Sequence, residues 1–255
     1  QRRPGLHAGL CLFLITTWLA GPVAQAQESE ARALADRMLK ALGGRATWAQ
    51  LRNTINGSQQ NRAEEPTVVY TVITMDFERP RFRIETTARD LHLVRVVDGD
   101  RSWRLSRVGR IEDLPAERFK EDMQWYASHL YRSIHRIAAG DAALSLGLAD
   151  DGRLEIFEKG RRILWFRLDA KGEPYAFGTY DDEIGSLSGP WDFVKDGIHH
   201  PRWISNADGT WRASVIQRLN SSAVYSASGR SASIGSGGLP VICGSVSVRP
   251  SARPS

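Results

Sequence analysis

The 255-residue chain is 42% hydrophobic and 25% charged, with a formal net charge of +5 and a pI of about 9.5. The positive excess lies at the ends: residues 1–26 hold Arg2 and Arg3, residues 221–255 hold Arg230, Arg249 and Arg253, neither stretch has an acid, and the span between is close to neutral. Phosphate binding needs basic residues clustered on a folded face, so nucleic acid is set aside as a partner, and a core of residues 28–220 is long enough for one sizeable domain.

Residues 1–26 read as a secretory signal peptide. Arg2 and Arg3 form a basic start, residues 10–20 an apolar segment, and Ala24-Gln25-Ala26 an A-x-A cleavage site, so export with cleavage after Ala26 is expected. The alternative, an N-terminal membrane anchor, is opposed by that site and by an apolar segment shorter than the roughly 20 residues of a spanning helix. Cys11 lies inside this segment and not beside the cleavage point, so no lipid attachment is expected there. Cys243 lies in the C-terminal stretch. The mature core is therefore expected to hold neither a disulfide nor a cysteine metal site.

The first helix follows. Ala31, Leu34, Ala35, Met38, Leu39 and Leu42 recur at the spacing of a helix buried along one stripe, and Gly43-Gly44 ends it. Residues 51–61 and 67–78 then read as strands. In the second of these both alternating faces are apolar, with Val69, Ile73, Met75 and Phe77 on one and Val68, Tyr70 and Val72 on the other. A sheet with one wet face alternates cleanly, so the second face needs a cover or a ligand. Strands at 81–86, 91–97 and 101–108 follow, the last two joined at Asp98-Gly99, a hairpin signal.

A second helix is expected over 115–139. Pro115 suits its start, Phe119, Met123, Tyr126, Leu130, Ile134 and Ile137 form its inward stripe, and Gly140 closes it. Lys120, Glu121, Ser128, Arg132 and Arg136 mark the opposite face as a surface. Strands return at 153–158, 161–169 and 175–180. Residues 181–190 read as a loop, and strands at 191–194, 202–205 and 211–219 complete the domain. The pattern is mainly β (α+β), with about ten strands in a meandering antiparallel sheet and two main helices against it. Residues 221–255, rich in Ser and Gly and without periodicity, read as a disordered tail or as sequence appended to the domain.

This order of parts resembles the LolA/LolB-like superfamily of bacterial outer-membrane lipoprotein carriers. The similarity runs through about residues 28–220 and rests on Ala41-Leu42-Gly43-Gly44 ending the first helix, on Leu51-Arg52-Asn53-Thr54 opening the first strand, on Val96-Val97-Asp98-Gly99-Asp100-Arg101-Ser102-Trp103, and on the mid-chain helix. The resemblance implies an antiparallel half-open β-barrel, closed by the N-terminal and mid-chain helices, around an apolar cavity for acyl chains. It implies a periplasmic location and, without a lipobox, a soluble carrier. The partners it implies are a lipid or acylated lipoprotein and a membrane-bound donor or acceptor protein. No position carries over the carriers' functional residues.

Ile73, Met75, Phe82, Ile84, Trp103, Trp165, Phe177 and Trp203 are the candidate walls of such a cavity, because an apolar pocket is built from large aromatic and aliphatic side chains. The same residues could instead fill the barrel themselves. Other polar constellations point to structure. His199 and His200 are adjacent on a strand and face opposite ways. His129 and His135 stand six apart on a helix, not at the i, i+4 spacing of a zinc pair. Asp181-Asp182-Glu183 lacks the alternation of a calcium loop. No G-x-S-x-G, P-loop, G-x-G-x-x-G or H-E-x-x-H motif is present. No cofactor and no enzymatic activity are expected. The leading expectation is a lipid carrier and the alternative is an envelope sensor or interaction module. A hydrolase using His199 or His200 with the 181–183 acids is the weakest of the three.

Overall fold

A computed structural model describes residues 22–62, 65–106 and 108–215. Residues 1–21 of the expected signal peptide, the end of the last expected strand (216–219) and the expected 221–255 tail lie outside the described residues. Helix α1 (Pro22–Ala41) begins ahead of the expected cleavage point. Its stripe is buried as the spacing predicts: Ala31, Ala35, Met38, Leu39 and Leu42 are all in the core. A short helix, α2 (Arg45–Ala49), follows at once.

Between them the backbone turns at Gly43 and Gly44, with φ of 106° and 99°. Gly43 is needed for space as well as for conformation. A Cβ there would collide with the Gly197 carbonyl oxygen, because a hairpin of β12 (Phe193–Lys195) and β13 (Ile198–His200) docks against this turn. The His199 amide donates to the Leu42 carbonyl at 3.1 Å, and the buried Trp48 indole donates to the same oxygen at 2.8 Å.

The described residues form 15 strands, more than the sequence pattern predicts, and 13 of them make one antiparallel sheet. Its first run is β1 (Asn53–Arg62), β2 (Glu65–Asp76), β3 (Arg81–Ala88), β4 (Leu91–Asp98), β5 (Arg101–Leu105) and β6 (Ile111–Asp113). Its second is β7 (Leu144–Leu148), β8 (Leu154–Glu158), β9 (Arg161–Leu168), β10 (Pro174–Thr179), β11 (Ser186–Ser188), β14 (Trp203–Asn206) and β15 (Trp211–Val215). The order across the sheet is β6-β5-β4-β3-β2-β1-β15-β14-β11-β10-β9-β8-β7, so the last strand joins the two runs by pairing with β1. The sheet is large and curved, and its edge strands β6 and β7 do not pair with each other. Strand β11 falls inside the segment expected to be loop, and β6, β7 and β13 are additions to the expected set.

The mid-chain helix is two helices, α3 (Ala116–Ala127) and α4 (Leu130–Ala139). The Ser128 hydroxyl donates back to the Gln124 carbonyl at 3.0 Å, and His129 takes an extended backbone, φ −61° and ψ 129°. A serine bonded this way competes with the helix ladder at a point where it ends. Gly140 closes α4 in the left-handed conformation. The polar face expected to be surface is partly interior: Arg136 is buried and paired with Asp141 at 2.7 Å and Glu158 at 2.6 Å. Burial lowers the pKa of its guanidinium, and these two carboxylates more than reverse the effect.

Candidate functional site: the helix-covered face of the sheet

In an antiparallel ladder, residues directly opposite each other point to the same face. The register therefore sorts every strand residue. Thr54, Met75, Phe82, Val97 and Ser102 form one row across β1 to β5, and Asn56, Ile73, Ile84 and Arg95 form the next across β1 to β4. The first row is buried under helices: Met75 is 0% and Phe82 2% exposed, and Phe82 packs edge-on to Trp125 of α3 at 5.0 Å. Moving away from α3 and α4 along β2 and β3, the inner face opens. Ile73 and Ile84 are half-buried, as are Phe177, Ile204 and Val215 from the second run, and all five pack on the core.

Five of the eight candidate wall residues, Ile73, Met75, Phe82, Ile84 and Phe177, thus share the inner face. Trp103, Trp165 and Trp203 do not join them. Their partners in the register are Val96, Gly178 and Ser214, which places all three on the outer face. Each is covered there by a guanidinium: Arg101 over Trp103 at 5.8 Å, Arg153 over Trp165 at 5.1 Å, and Arg212 over Trp203 at 4.3 Å. An aromatic packed under an arginine stem is shielded without a cavity.

The loop between β10 and β11 is tied to this outer face. The Trp165 indole donates to the Asp182 carbonyl at 2.6 Å, and the Glu183 carboxylate pairs with both Arg153 and Arg162. These cations hold the Glu183 carboxyl below the usual carboxylate range. The Asp182 carboxylate accepts the Ile184 and Gly185 amides at 3.0 and 2.9 Å. The 181–183 acids are therefore on the opposite side of the sheet from His200, which is fully buried with Nδ1 3.0 Å from the Tyr131 hydroxyl. Among the described residues no three His, Cys, Asp or Glu side chains converge as a metal site would require.

Helix α3 crosses the inner face and is held by side chains. The Tyr126 hydroxyl donates to the Asp76 and Arg79 carbonyls at 2.9 and 2.6 Å, and the Tyr180 hydroxyl donates to the Gln124 carbonyl at 2.8 Å. Asp122, 1% exposed, faces Arg95 of β4 at 3.3 Å and Arg118 at 3.6 Å. Burial raises the Asp122 carboxyl above the ordinary carboxylate range despite those cations, and burial lowers the Arg95 guanidinium despite Asp122.

Sequence periodicity alone also misses a polar ladder on this face. The Trp211 indole donates to Gln60 Oε1 at 3.3 Å, Gln60 Nε2 donates to Thr71 Oγ1 at 3.1 Å, and the Thr71 and Thr86 hydroxyls are 3.5 Å apart. The only available signal is the polar residues at alternate positions of β1, where Asn56, Ser58 and Gln60 share a face with Thr54.

No helix of the described residues is long and apolar enough to cross a membrane. No protein-family model matches the chain, and no curated protein matches it. Among solved structures, the chain is similar to a DUF1329 family protein from Desulfovibrio piger, at 10% identity over 74% of this chain and 90% of that one, with a TM-score of 0.43.

Proposed function

We propose that this is an exported protein of the periplasm that carries a lipid, or the acyl chains of a lipoprotein, against the inner face of an open half-barrel. The observation that carries the reading is the set of half-buried apolar side chains Ile73, Ile84, Phe177, Ile204 and Val215 on one face of a curved, unclosed sheet. Shielding a hydrocarbon chain there is worth roughly 0.8 kcal/mol per buried methylene. The leader with its A-x-A site supports export, and the order of helix, Gly-Gly turn and strands resembles the LolA/LolB-like carriers.

Helix α3 is the element we propose to move. Side chains hold it to the sheet, through the Tyr126 and Tyr180 hydroxyls and the Asp122–Arg95 pair. The 181–185 loop, bound to Arg153, Arg162 and Trp165, stays in place. The mechanism is passive binding and release, with no chemical step. The test is titration of delipidated full-length protein with a neutral fluorescent lipid, a fatty-acid ester. Saturable one-to-one uptake supports the reading, and no uptake by folded protein refutes it.

A second reading, an envelope interaction module on the same fold, draws on exposed apolar side chains at the rim of the sheet. Val108, Ile111 and Ile184 are 76%, 76% and 75% exposed. By the register all three lie at one rim of the sheet, with Ile111 on the unpaired edge strand β6. Exposed apolar residues on an open edge suit contact with a protein. Recovery of a stoichiometric partner with no lipid uptake would favour it.

A further inference from the structure

We infer that the molecule bound on the inner face is a neutral amphiphile whose head carries a hydrogen-bond donor, an amide N–H or a hydroxyl, next to its hydrocarbon chain. This rests on the carrier reading above and names the class of ligand. A cavity for bare hydrocarbon has no use for polar side chains among its aliphatic ones. Here Asn56 lies directly opposite Ile73, which lies opposite Ile84. The Asn56 Oδ1 atom is buried and has no hydrogen-bond partner among the described residues. A buried acceptor left unpaired costs about 1–3 kcal/mol, and a donor from a ligand would remove that cost.

The neighbouring row is already organised to orient such a head. Gln60 is fixed by Trp211 and donates to Thr71, which stands beside Thr86. A hydroxyl can both donate and accept, so Thr86 at the end of this ladder can take a further polar group. The charge of the site indicates a neutral head. Arg95 and Arg104, the cations in the same row as Asn56, are matched by the buried Asp122 and by Glu112, and Arg118 beside Asp122 also bonds Glu121 at 2.8 Å. Among the described residues, each cation of this row already has an acidic partner, which leaves none for a ligand carboxylate or phosphate.

The experiment compares two neutral probes of equal chain length on the delipidated full chain, followed by tryptophan emission: N-palmitoylethanolamine, which has an amide N–H and a hydroxyl, and ethyl palmitate, which has no donor. The expected result is at least tenfold tighter binding of the amide. Asn56→Leu and Thr86→Val, made separately, should each cut that preference to threefold or less. Equal affinity for the two probes, or a preference untouched by both substitutions, overturns the inference and leaves the carrier reading standing. Failure of both probes to bind folded protein overturns the carrier reading, and this inference with it.

Discussion

His200 Nδ1 lies 3.0 Å from the Tyr131 hydroxyl, while His200 Nε2 is buried without an aligned hydrogen-bond partner among the described residues. The pair belongs to a run of rings through the interior, with Tyr131 also stacked on His129 at 6.1 Å and His129 edge-on to Trp125 at 4.9 Å. Burial holds the His200 imidazole down at about 4 and the His129 imidazole at about 3, and the Lys195 backbone near the His200 ring offsets the first only in part. Burial also lowers His135, against the hydrogen bond to the Trp48 carbonyl.

These rings give stability a defined pH dependence. Unfolded histidines take protons near pH 6.5, so between about pH 6.5 and pH 4 the unfolded chain binds more protons than the folded one. Stability is complete above that window and falls as pH drops through it, by up to about 1.4 kcal/mol per pH unit for each ring. Asp122 has the opposite sign, because its raised carboxyl is protonated in the fold first and falling pH then favours the fold. The urea midpoint should drop from pH 7 to pH 4.5, and His129→Phe or His200→Phe should flatten the slope. A midpoint independent of pH in this range would contradict the buried neutral rings.

Asp122→Ala leaves Arg95 facing the inner face without its counter-charge. The loss is expected to be about 2 kcal/mol, below the figure for a fully buried pair because the Arg95 side chain is 27% exposed. The double substitution Arg95→Met with Asp122→Leu should recover at least half, since two apolar groups replace two charges. Urea denaturation of the three variants measures this. An unchanged midpoint for Asp122→Ala would mean that the pair contributes nothing.

Gly43→Ala should cost more than Gly44→Ala although both residues have positive φ. The backbone penalty, about 1 kcal/mol, is common to both. Only at Gly43 does the added methyl strike the β12–β13 hairpin; at Gly44 the nearest atom is Thr47 Oγ1 at 4.0 Å. Thermal melts should show the larger drop for Gly43→Ala. Equal drops would place the hairpin further from α1 than described.

The two faces of the sheet should separate cleanly in binding. Ile84→Trp fills space on the inner face and should reduce uptake of the neutral fluorescent ester at least tenfold, with the fold retained. Trp203→Ala removes an outer-face ring lying under Arg212 and should leave uptake within twofold. Titration of both variants with the fluorescent fatty-acid ester decides this. The reverse pattern would move the ligand to the outer face.

Much of this fold was legible in the sequence. The α1 stripe, the Gly43-Gly44 turn, the hairpin at Asp98-Gly99 and the Gly140 stop all follow from local spacing and backbone chemistry. Three features were not. The apolar spacing from Phe119 to Ile137 runs unbroken across the Ser128–His129 break, so periodicity could not reveal two helices. Strand β11 is three residues inside a Gly- and Ser-rich segment, and it exists because β10 and β14 pair with it on both sides. Which alternate residues face inward depends on where the helices pack, a long-range property. The inner-face aliphatics and the outer-face tryptophans are equally apolar in one dimension, and only the register separates Ile73 and Phe177 from Trp103, Trp165 and Trp203.

Native mass spectrometry of the full chain, recovered from a Gram-negative periplasm without detergent, addresses the central claim most directly. The account predicts a single lipid or acylated peptide bound one-to-one, lost in Ile84→Trp and retained in Trp203→Ala. Folded protein that arrives empty, and stays empty when offered lipid, would contradict it.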